Sequence, residues 1–200
     1  MDLNQYMEIL HLAERLKNNT RHSWTSEGRH ESVAEHSFRL ALMAFFMKDR
    51  FPEADMDKVI RMCLLHDMGE AFTGDIPTFE KTDADTEKEE KVLEQWVQTL
   101  PEPFREELGE LYHEMEAMQS QEARICKALD KMEAVIQHNE ADISTWLPLE
   151  YELQLIYGGE ETEFSPVMKE LKARVNEDSR IKICESGFLS GKNPYEPYEQ

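Results

Sequence analysis

The sequence predicts an all-α fold, a compact bundle of many helices, and three observations support this prediction. Apolar residues recur three and four positions apart along most of the 200-residue chain, which is the period of a helix with one buried face. No segment shows the alternation of apolar and polar residues that is typical of a half-buried strand. The hydrophobic content of 40% is close to that of ordinary globular proteins. We therefore expect a single helical domain over residues 1–180 and an irregular C-terminal tail over residues 181–200.

The first two helices are predicted on either side of a polar, turn-rich link. Residues 4–18 carry an apolar stripe at helical spacing. The link NNTRHSWTSEGRH follows, and the second helix begins near Ser32 and runs through Met47. Its start is marked by Ser32 and by Glu35 three residues later, which match a capping box.

The third helix is predicted from roughly Asp55 to Ala71, and apolar side chains surround nearly its whole circumference before His66. The loop GDIPTFEKTDAD, marked by Gly74 and Pro77, comes next. The rest of the chain shows helical patterns separated by short links, and these are predicted over residues 84–99, 103–117, 120–139, 147–156 and 164–178.

Charge and cysteine content exclude several classes of protein. The net charge of −20 opposes binding to nucleic acid polymers or to an anionic membrane. The apolar stretches are shorter than a membrane-spanning helix, and the N-terminus lacks a signal-peptide pattern. Cys63, Cys126 and Cys184 are odd in number and widely spaced, which is typical of reduced thiols rather than a disulfide framework or a zinc knuckle. We expect a cytoplasmic protein.

The stretch LLHDMGEAFTGD contains the most informative residues of the chain. His66 and Asp67 follow directly after the most apolar predicted helix. A carboxylate buried there without a partner would cost several kcal/mol, so a cation or a metal ion is expected beside it. Glu70 lies four residues after His66 and is predicted to share its helix face.

Two residues on other helices complete a possible metal site. His36 lies in the first turn of its helix, in line with Leu40, and Asp130 lies at the edge of an apolar stripe. Two imidazoles and two carboxylates on rigid helices suit one divalent transition metal. Taken singly, His36 would more often be a satisfied core histidine. Asp130 alone would more often pair with a neighbouring lysine, Lys127 or Lys131.

The segments RHSW, ESVAEHS, LLHDMGEAFTGDIP and KALDKMEA together resemble the HD-domain superfamily of metal-dependent phosphohydrolases, in particular the YfbR-type 5′-deoxynucleotidases. The resemblance extends over roughly residues 5–140. It implies that His36, His66, Asp67 and Asp130 bind one divalent ion, which is Mn, Co, Zn, Fe, Ni or Mg. Relatives of this kind are commonly dimers, so a homodimer is expected.

The resemblance also implies roles for four further residues. Glu70 and Asp75 match acidic residues of catalysis and substrate positioning, Arg21 matches an arginine that approaches the phosphate, and Trp24 matches an aromatic residue near the sugar or base. This chain has two residues between Arg21 and Trp24, whereas in the deoxynucleotidase pattern the tryptophan follows directly. The competing structural interpretations are a solvated helix-end charge for Glu70, a turn cap for Asp75 and an ordinary loop arginine for Arg21.

The expected reaction is removal of the 5′-phosphate of (deoxy)ribonucleoside monophosphates by a metal-activated water. A divalent ion polarises a phosphoryl oxygen and lowers the pKa of a bound water, Glu70 is placed to take its proton, and the planar guanidinium of Arg21 suits a phosphate. Three alternatives stay open. The substrate is another small phosphate ester or a phosphodiester, the protein is a non-catalytic metal-dependent nucleotide-binding protein, or the ion is an oxygen-activating iron.

Overall fold

The structure, a computed structural model, describes residues 1–187, which form two compact units. The first unit contains Met1–His22 and His30–Asp130, and the second contains Ser23–Arg29 and the residues from Lys131 onward. The predicted all-α class is confirmed, because helices make up most of both units. Within the described residues, no helix has the length and apolar character needed to cross a membrane.

The helices of the first unit follow the predicted order, with two short strands after the first helix and a separate short helix after the third in addition. The elements are α1 Leu3–Asn18, β1 Thr20–Trp24, β2 His30–Ser32, α2 Val33–Phe46, α3 Met56–Leu65, α4 Glu70–Thr73, α5 Asp83–Gln98, α6 Phe104–Ala117 and α7 Gln121–Glu140, which continues into the second unit. The second unit adds three helices after α7, namely α8 Glu150–Ile156, α9 Gly159–Thr162 and α10 Pro166–Glu185. Short 3-10 turns occupy Lys48–Arg50 and Ile143–Thr145.

The link after α1 contains strands, and the prediction of no strand was wrong there. β1 and β2 form a two-stranded sheet. The Thr25 amide donates to the Arg29 carbonyl at 2.7 Å, and Gly28 takes the positive φ of 78° that this turn requires. Strands of five and three residues are too short to show an alternating pattern in the sequence.

The third predicted helix is interrupted at the His66-Asp67 motif. Helix α3 ends at Leu65, and α4 begins only at Glu70. Between them the amides of Met68 and Glu70 donate to carbonyls three residues earlier, at 3.1 Å and 3.0 Å. These are tight turns rather than α-helical bonds. The continuous helix predicted up to Ala71 is therefore wrong, and Glu70 does not share one helix with His66.

Packing in the first unit fixes the beginning of α2. The capping box is confirmed, because the Ser32 hydroxyl accepts from the Glu35 amide at 3.3 Å and the Glu35 carboxylate accepts from the Ser32 amide at 2.9 Å. Helix α2 packs against both α1 and α3. The buried cluster below this start joins α1, α2 and the turn after α3, and consists of Leu12, Leu16, Val33, Met68 and Ala71.

The second unit has its own apolar cluster of Trp146, Tyr151 and Ile183, and α8 and α9 pack against α10. Helix α10 ends at Glu185 rather than near residue 178. The first residues of the predicted irregular tail are therefore helical. The rest of that tail, from residue 188 onward, lies outside the described residues.

Candidate metal centre and its cleft

His36 is held in the first turn of α2 by the capping box one turn before it. Its side chain is completely buried, with 0% exposure. The ring lies 5.3 Å from the ring of His66, centroid to centroid, with the two Nε2 atoms 3.3 Å apart. Two imidazoles therefore present the same kind of donor atom to one point inside the first unit.

The turn after α3 orients His66 and Asp67. The Nδ1 atom of His66 lies 3.0 Å from the Cys63 carbonyl oxygen. A carbonyl oxygen only accepts, so Nδ1 carries the proton and the lone pair of Nε2 is directed at Asp67 and His36. The distance from His66 Nε2 to Asp67 Oδ2 is 3.1 Å. The non-helical turn thus brings adjacent residues to the same point.

Asp130 completes the group from helix α7. Its Oδ1 atom lies 3.3 Å from His36 Nε2 and 3.8 Å from His66 Nε2, and Asp67 Oδ2 lies 3.7 Å from His36 Nε2. Each carboxylate oxygen thus lies 3.1–3.8 Å from both imidazole Nε2 atoms, which is close to the spacing of neighbouring ligands around one ion with bonds of about 2.0–2.2 Å. The donors have the chemistry that a divalent ion requires, and the structure brings the four predicted ligands to one region. A catalytic ion held there would need a further position for water.

The charges of this group are strongly coupled. Burial alone would lower the pKa of His66 and raise that of Asp67. The carboxylates of Asp67 and Asp130 outweigh burial and raise the pKa of His66. In turn His66, His36 and Arg21 lower the pKa of Asp67 below its ordinary value. Asp67 is thus kept in the ionised form that a metal ligand needs.

Arg21 lies beside the four donors, on strand β1. Its Nη1 atom is 3.5 Å from Asp67 Oδ2 and 3.9 Å from Asp75 Oδ1. Its Nε atom is 3.5 Å from Oε2 of Glu31, a buried residue of the partner strand β2. The predicted arginine is therefore at the site but contacts three carboxylates. Glu31 was not predicted, because only the missed strand pairing brings it near Arg21.

Glu70 and Asp75 lie in the same acidic region. Glu70 is buried, with 6% exposure, and its Oε2 atom has no hydrogen-bond partner within the described residues. Burial and the charges of Asp67 and Asp75 raise the pKa of Glu70 well above its ordinary range. Burial and Asp67 also raise the pKa of Asp75, although Arg21 opposes the shift. The Glu70 carboxyl group, within reach of the Asp67 charge, therefore favours its protonated form at neutral pH.

The two lysines that flank Asp130 in sequence separate in the structure. Lys127 Nζ lies 3.4 Å from Asp130 Oδ2. Lys131 instead donates to the Tyr157 hydroxyl at 2.8 Å, within the second unit. Trp24 also belongs to the second unit, where its carbonyl accepts from Gln137 at 2.7 Å. Its predicted contact with a sugar or base stays a prediction.

A cleft of about 790 Å³ in the first unit opens onto the candidate metal centre. His66, Asp67 and Asp130 are part of its wall, and residues from the loop before α5 and from α5, α6 and α7 form the remainder. Most charged residues of this wall are acidic, and they include Glu87, Glu89, Glu90, Glu94 and Glu116. Three lysines also line the cleft, namely Lys81, Lys91 and Lys127. No spacing pattern in the sequence identified Lys81 or Glu89.

Comparisons with known proteins agree with this geometry. A family model for the HD domain matches residues 13–172. The 5′-deoxynucleotidase HDDC2 of Homo sapiens is 36% identical over 138 residues, which cover 67% of this chain and 67% of that protein. The 5′-deoxynucleotidase HDDC2 of Xenopus laevis is 29% identical over 189 residues, or 92% of either chain.

Solved structures give the same result. The crystal structure of a predicted metal-dependent phosphohydrolase from Magnetospirillum magnetotacticum MS-1 is similar over 91% of this chain and 92% of that one, with 25% identity and a TM-score of 0.76. An HD-domain phosphohydrolase from Listeria innocua shares the fold at 22% identity, with a TM-score of 0.56 and coverage of 95% and 87%. Because the family model spans most of its length, this chain belongs to the HD domain family.

Proposed function

We propose that this protein, a hydrolase of the HD domain family, removes the 5′-phosphate of nucleoside monophosphates and prefers deoxyribonucleotides. The observation that carries the proposal is that the Asp67 and Asp130 oxygens each lie 3.1–3.8 Å from Nε2 of both His36 and His66, and that three of these four residues line a cleft. The curated relatives are 5′-deoxynucleotidases, which supports the choice of substrate.

The proposed ligands are His36, His66, Asp67 and Asp130, and one divalent ion is proposed for each chain. Mn, Co, Zn, Fe, Ni and Mg all accept imidazole and carboxylate ligands to different degrees. Such an ion would supply Lewis acidity toward a water molecule and a phosphoryl oxygen. The catalytic and phosphate-binding roles are proposed for side chains of the first unit, and contact with the sugar or base is proposed for Trp24 of the second unit.

Glu70 is proposed to accept the proton of the attacking water. Its carboxyl group is buried next to Asp67, and a divalent cation held by the proposed ligands would lower its raised pKa toward the working pH, where the carboxylate form accepts a proton. Asp75 and Glu31 are proposed to orient Arg21, because they contact the guanidinium on different nitrogen atoms. Arg21 would then balance the negative charge of the phosphate beside Asp67.

We also propose a homodimer in the cytoplasm. Helix α2 exposes Phe38, Phe45 and Phe46, with relative exposures of 63%, 52% and 75%, and a contiguous apolar surface of this kind is typical of an interaction site. The three free cysteines, two of them a buried thiol pair, support a reducing compartment.

The test compares hydrolysis of matched deoxyribo- and ribonucleoside 5′-monophosphates, their 3′ isomers, a simple aryl phosphate and a phosphodiester by the metal-loaded protein. We expect release of phosphate from 5′-monophosphates, fastest with deoxyribose. Faster turnover of the phosphodiester or of the aryl phosphate would favour the alternative of a different phosphate ester. Tight nucleotide binding without turnover would identify a non-catalytic nucleotide-binding protein.

A further inference from the structure

The cleft poses an electrostatic problem for the proposed substrate. A nucleoside monophosphate is an anion, but the wall around the candidate metal centre is rich in glutamates, which repel it. Arg21 already lies near Glu31, Asp67 and Asp75, so much of its charge is offset. A second cation that faces the cleft would reduce the remaining repulsion.

Of the three lysines that line the cleft, Lys81 has the most closely defined position. Its Nζ atom lies 2.7 Å from Glu89 Oε2, and its side chain is 28% exposed. The side chain of Lys127 is more exposed, at 44%, and its ammonium lies beside a proposed metal ligand, Asp130. Lys91 is exposed. Lys81 is therefore partly buried, is held by an ion pair with Glu89 and forms part of the cleft wall.

Glu89 also packs against the turn that carries Asp67. A Cβ atom added to Gly69 would lie 2.8 Å from Glu89 Cγ, so a side chain at position 69 would displace the Glu89 side chain. Gly69 has an ordinary φ of −58°, which means that close contact, rather than backbone conformation, is what calls for a glycine here. The contact of Glu89 with Gly69 and its ion pair with Lys81 thus connect the Lys81 ammonium group to the turn that carries Asp67.

The charges around Lys81 agree with this placement. Burial would lower its pKa, but Glu89, Glu70 and Asp67 together raise it. The ammonium is therefore within the electrostatic reach of the proposed general base and of a proposed metal ligand. A protonated lysine in such a position is a common partner for phosphate oxygens.

We propose that Lys81 is a substrate-binding residue that contacts the phosphate group, and that Glu89 is the positioning residue that holds it in the cleft. The inference rests on the proposed function, because it takes a phosphate monoester as the ligand. Glu89 would keep the lysine close to the cleft in the free protein and share it with the phosphate when substrate is bound.

The experiment measures binding of inorganic phosphate to manganese-loaded protein by titration calorimetry, together with kcat and KM for deoxyadenosine 5′-monophosphate. The variants are Lys81→Gln, Lys81→Arg and Glu89→Gln. Lys88→Gln is the matched control, because Lys88 is an exposed lysine of α5 outside the cleft wall. Metal content and melting temperature are measured for each variant.

We expect Lys81→Gln to raise the Kd for phosphate by at least about tenfold, the effect of losing one charge-assisted hydrogen bond, and to raise KM more than it lowers kcat. Lys81→Arg should give a Kd for phosphate within about threefold of wild type. Glu89→Gln should give a Kd between those of Lys81→Arg and Lys81→Gln, because the Lys81 ammonium group keeps its charge but is no longer held in place by Glu89. Lys88→Gln should match wild type.

A Kd for Lys81→Gln within about twofold of wild type, or equal losses in Lys81→Gln and Lys88→Gln, would overturn the inference. Failure of the proposed function has a different signature. Phosphate binding that depends on Lys81, in a protein that hydrolyses no nucleoside monophosphate, would contradict the proposed reaction and leave the assignment of Lys81 standing.

Discussion

Glu70 has the surroundings of a general base, with a buried carboxylate and two acidic neighbours, Asp67 and Asp75. We predict that Glu70→Gln lowers kcat by about 10²–10⁴-fold, because general acid–base catalysis contributes in that range. The amide has the size of the carboxylate, so metal content and phosphate affinity should stay near those of wild type. Steady-state kinetics with deoxyadenosine 5′-monophosphate and elemental analysis measure both. Near-native turnover would move the role of base to Asp75.

Prediction from sequence succeeded for residues whose position depends on one helix and failed for pairs that form across the chain. His36 lies at helical spacing from Leu40, which predicts that it faces the same apolar side, and it is fully buried. Lys131 was a candidate partner of Asp130 but donates to Tyr157. That contact joins residues 26 positions apart, and no periodicity reveals such a pairing.

At the scale of elements, start and stop signals predicted most helices to within a few residues, but the turn at His66-Asp67 was missed. Apolar periodicity continues through Met68 and Ala71, both buried, and it therefore resembles an uninterrupted helix. The side chain of Glu89 in α5 packs against Gly69 in this turn, and a tertiary contact of this kind leaves no mark on the periodicity. The strands β1 and β2 were not predicted, because five and three residues are too few to show an alternating pattern.

The contact between α3 and α7 gives a prediction about thiols. Cys63 Sγ and Cys126 Sγ lie 3.7 Å apart in the buried interior, and the hydrogen bond to Cys63 together with burial raises the pKa of Cys126 well above its ordinary value. Because the thiolate is the reactive form, we expect a disulfide-exchange reagent to label one thiol per folded chain, the exposed Cys184, and all three after denaturation.

The control for this labelling is Cys184→Ser, which should abolish the fast reaction. Labelling of Cys63 and Cys126 in the folded protein at the rate of Cys184 would show that the α3–α7 contact opens readily. That result would contradict the rigid placement of His66 and Asp130, which lie three and four residues from these cysteines.

At the scale of the whole molecule, the sequence was sufficient to predict an all-α protein of the HD domain family, because helical periodicity and the four motif segments together can be recognised without tertiary detail. The two compact units were not predicted, since the division falls within helix α7 and within strand β1 rather than at a linker. A single functional domain over residues 1–180 stays a prediction. The net charge of −20 makes the cations near the candidate metal centre decisive for an anionic substrate.

The central claim is that His36, His66, Asp67 and Asp130 bind one catalytic ion. The most direct measurement is anomalous diffraction from crystals of the manganese-loaded protein, with the Asp67→Ala, Asp130→Ala double variant as the control. We predict one anomalous peak per chain, in contact with Nε2 of both histidines and with both carboxylates, and no peak in the double variant. A peak elsewhere in the chain, two peaks at the site, or full occupancy in the double variant would contradict the claim.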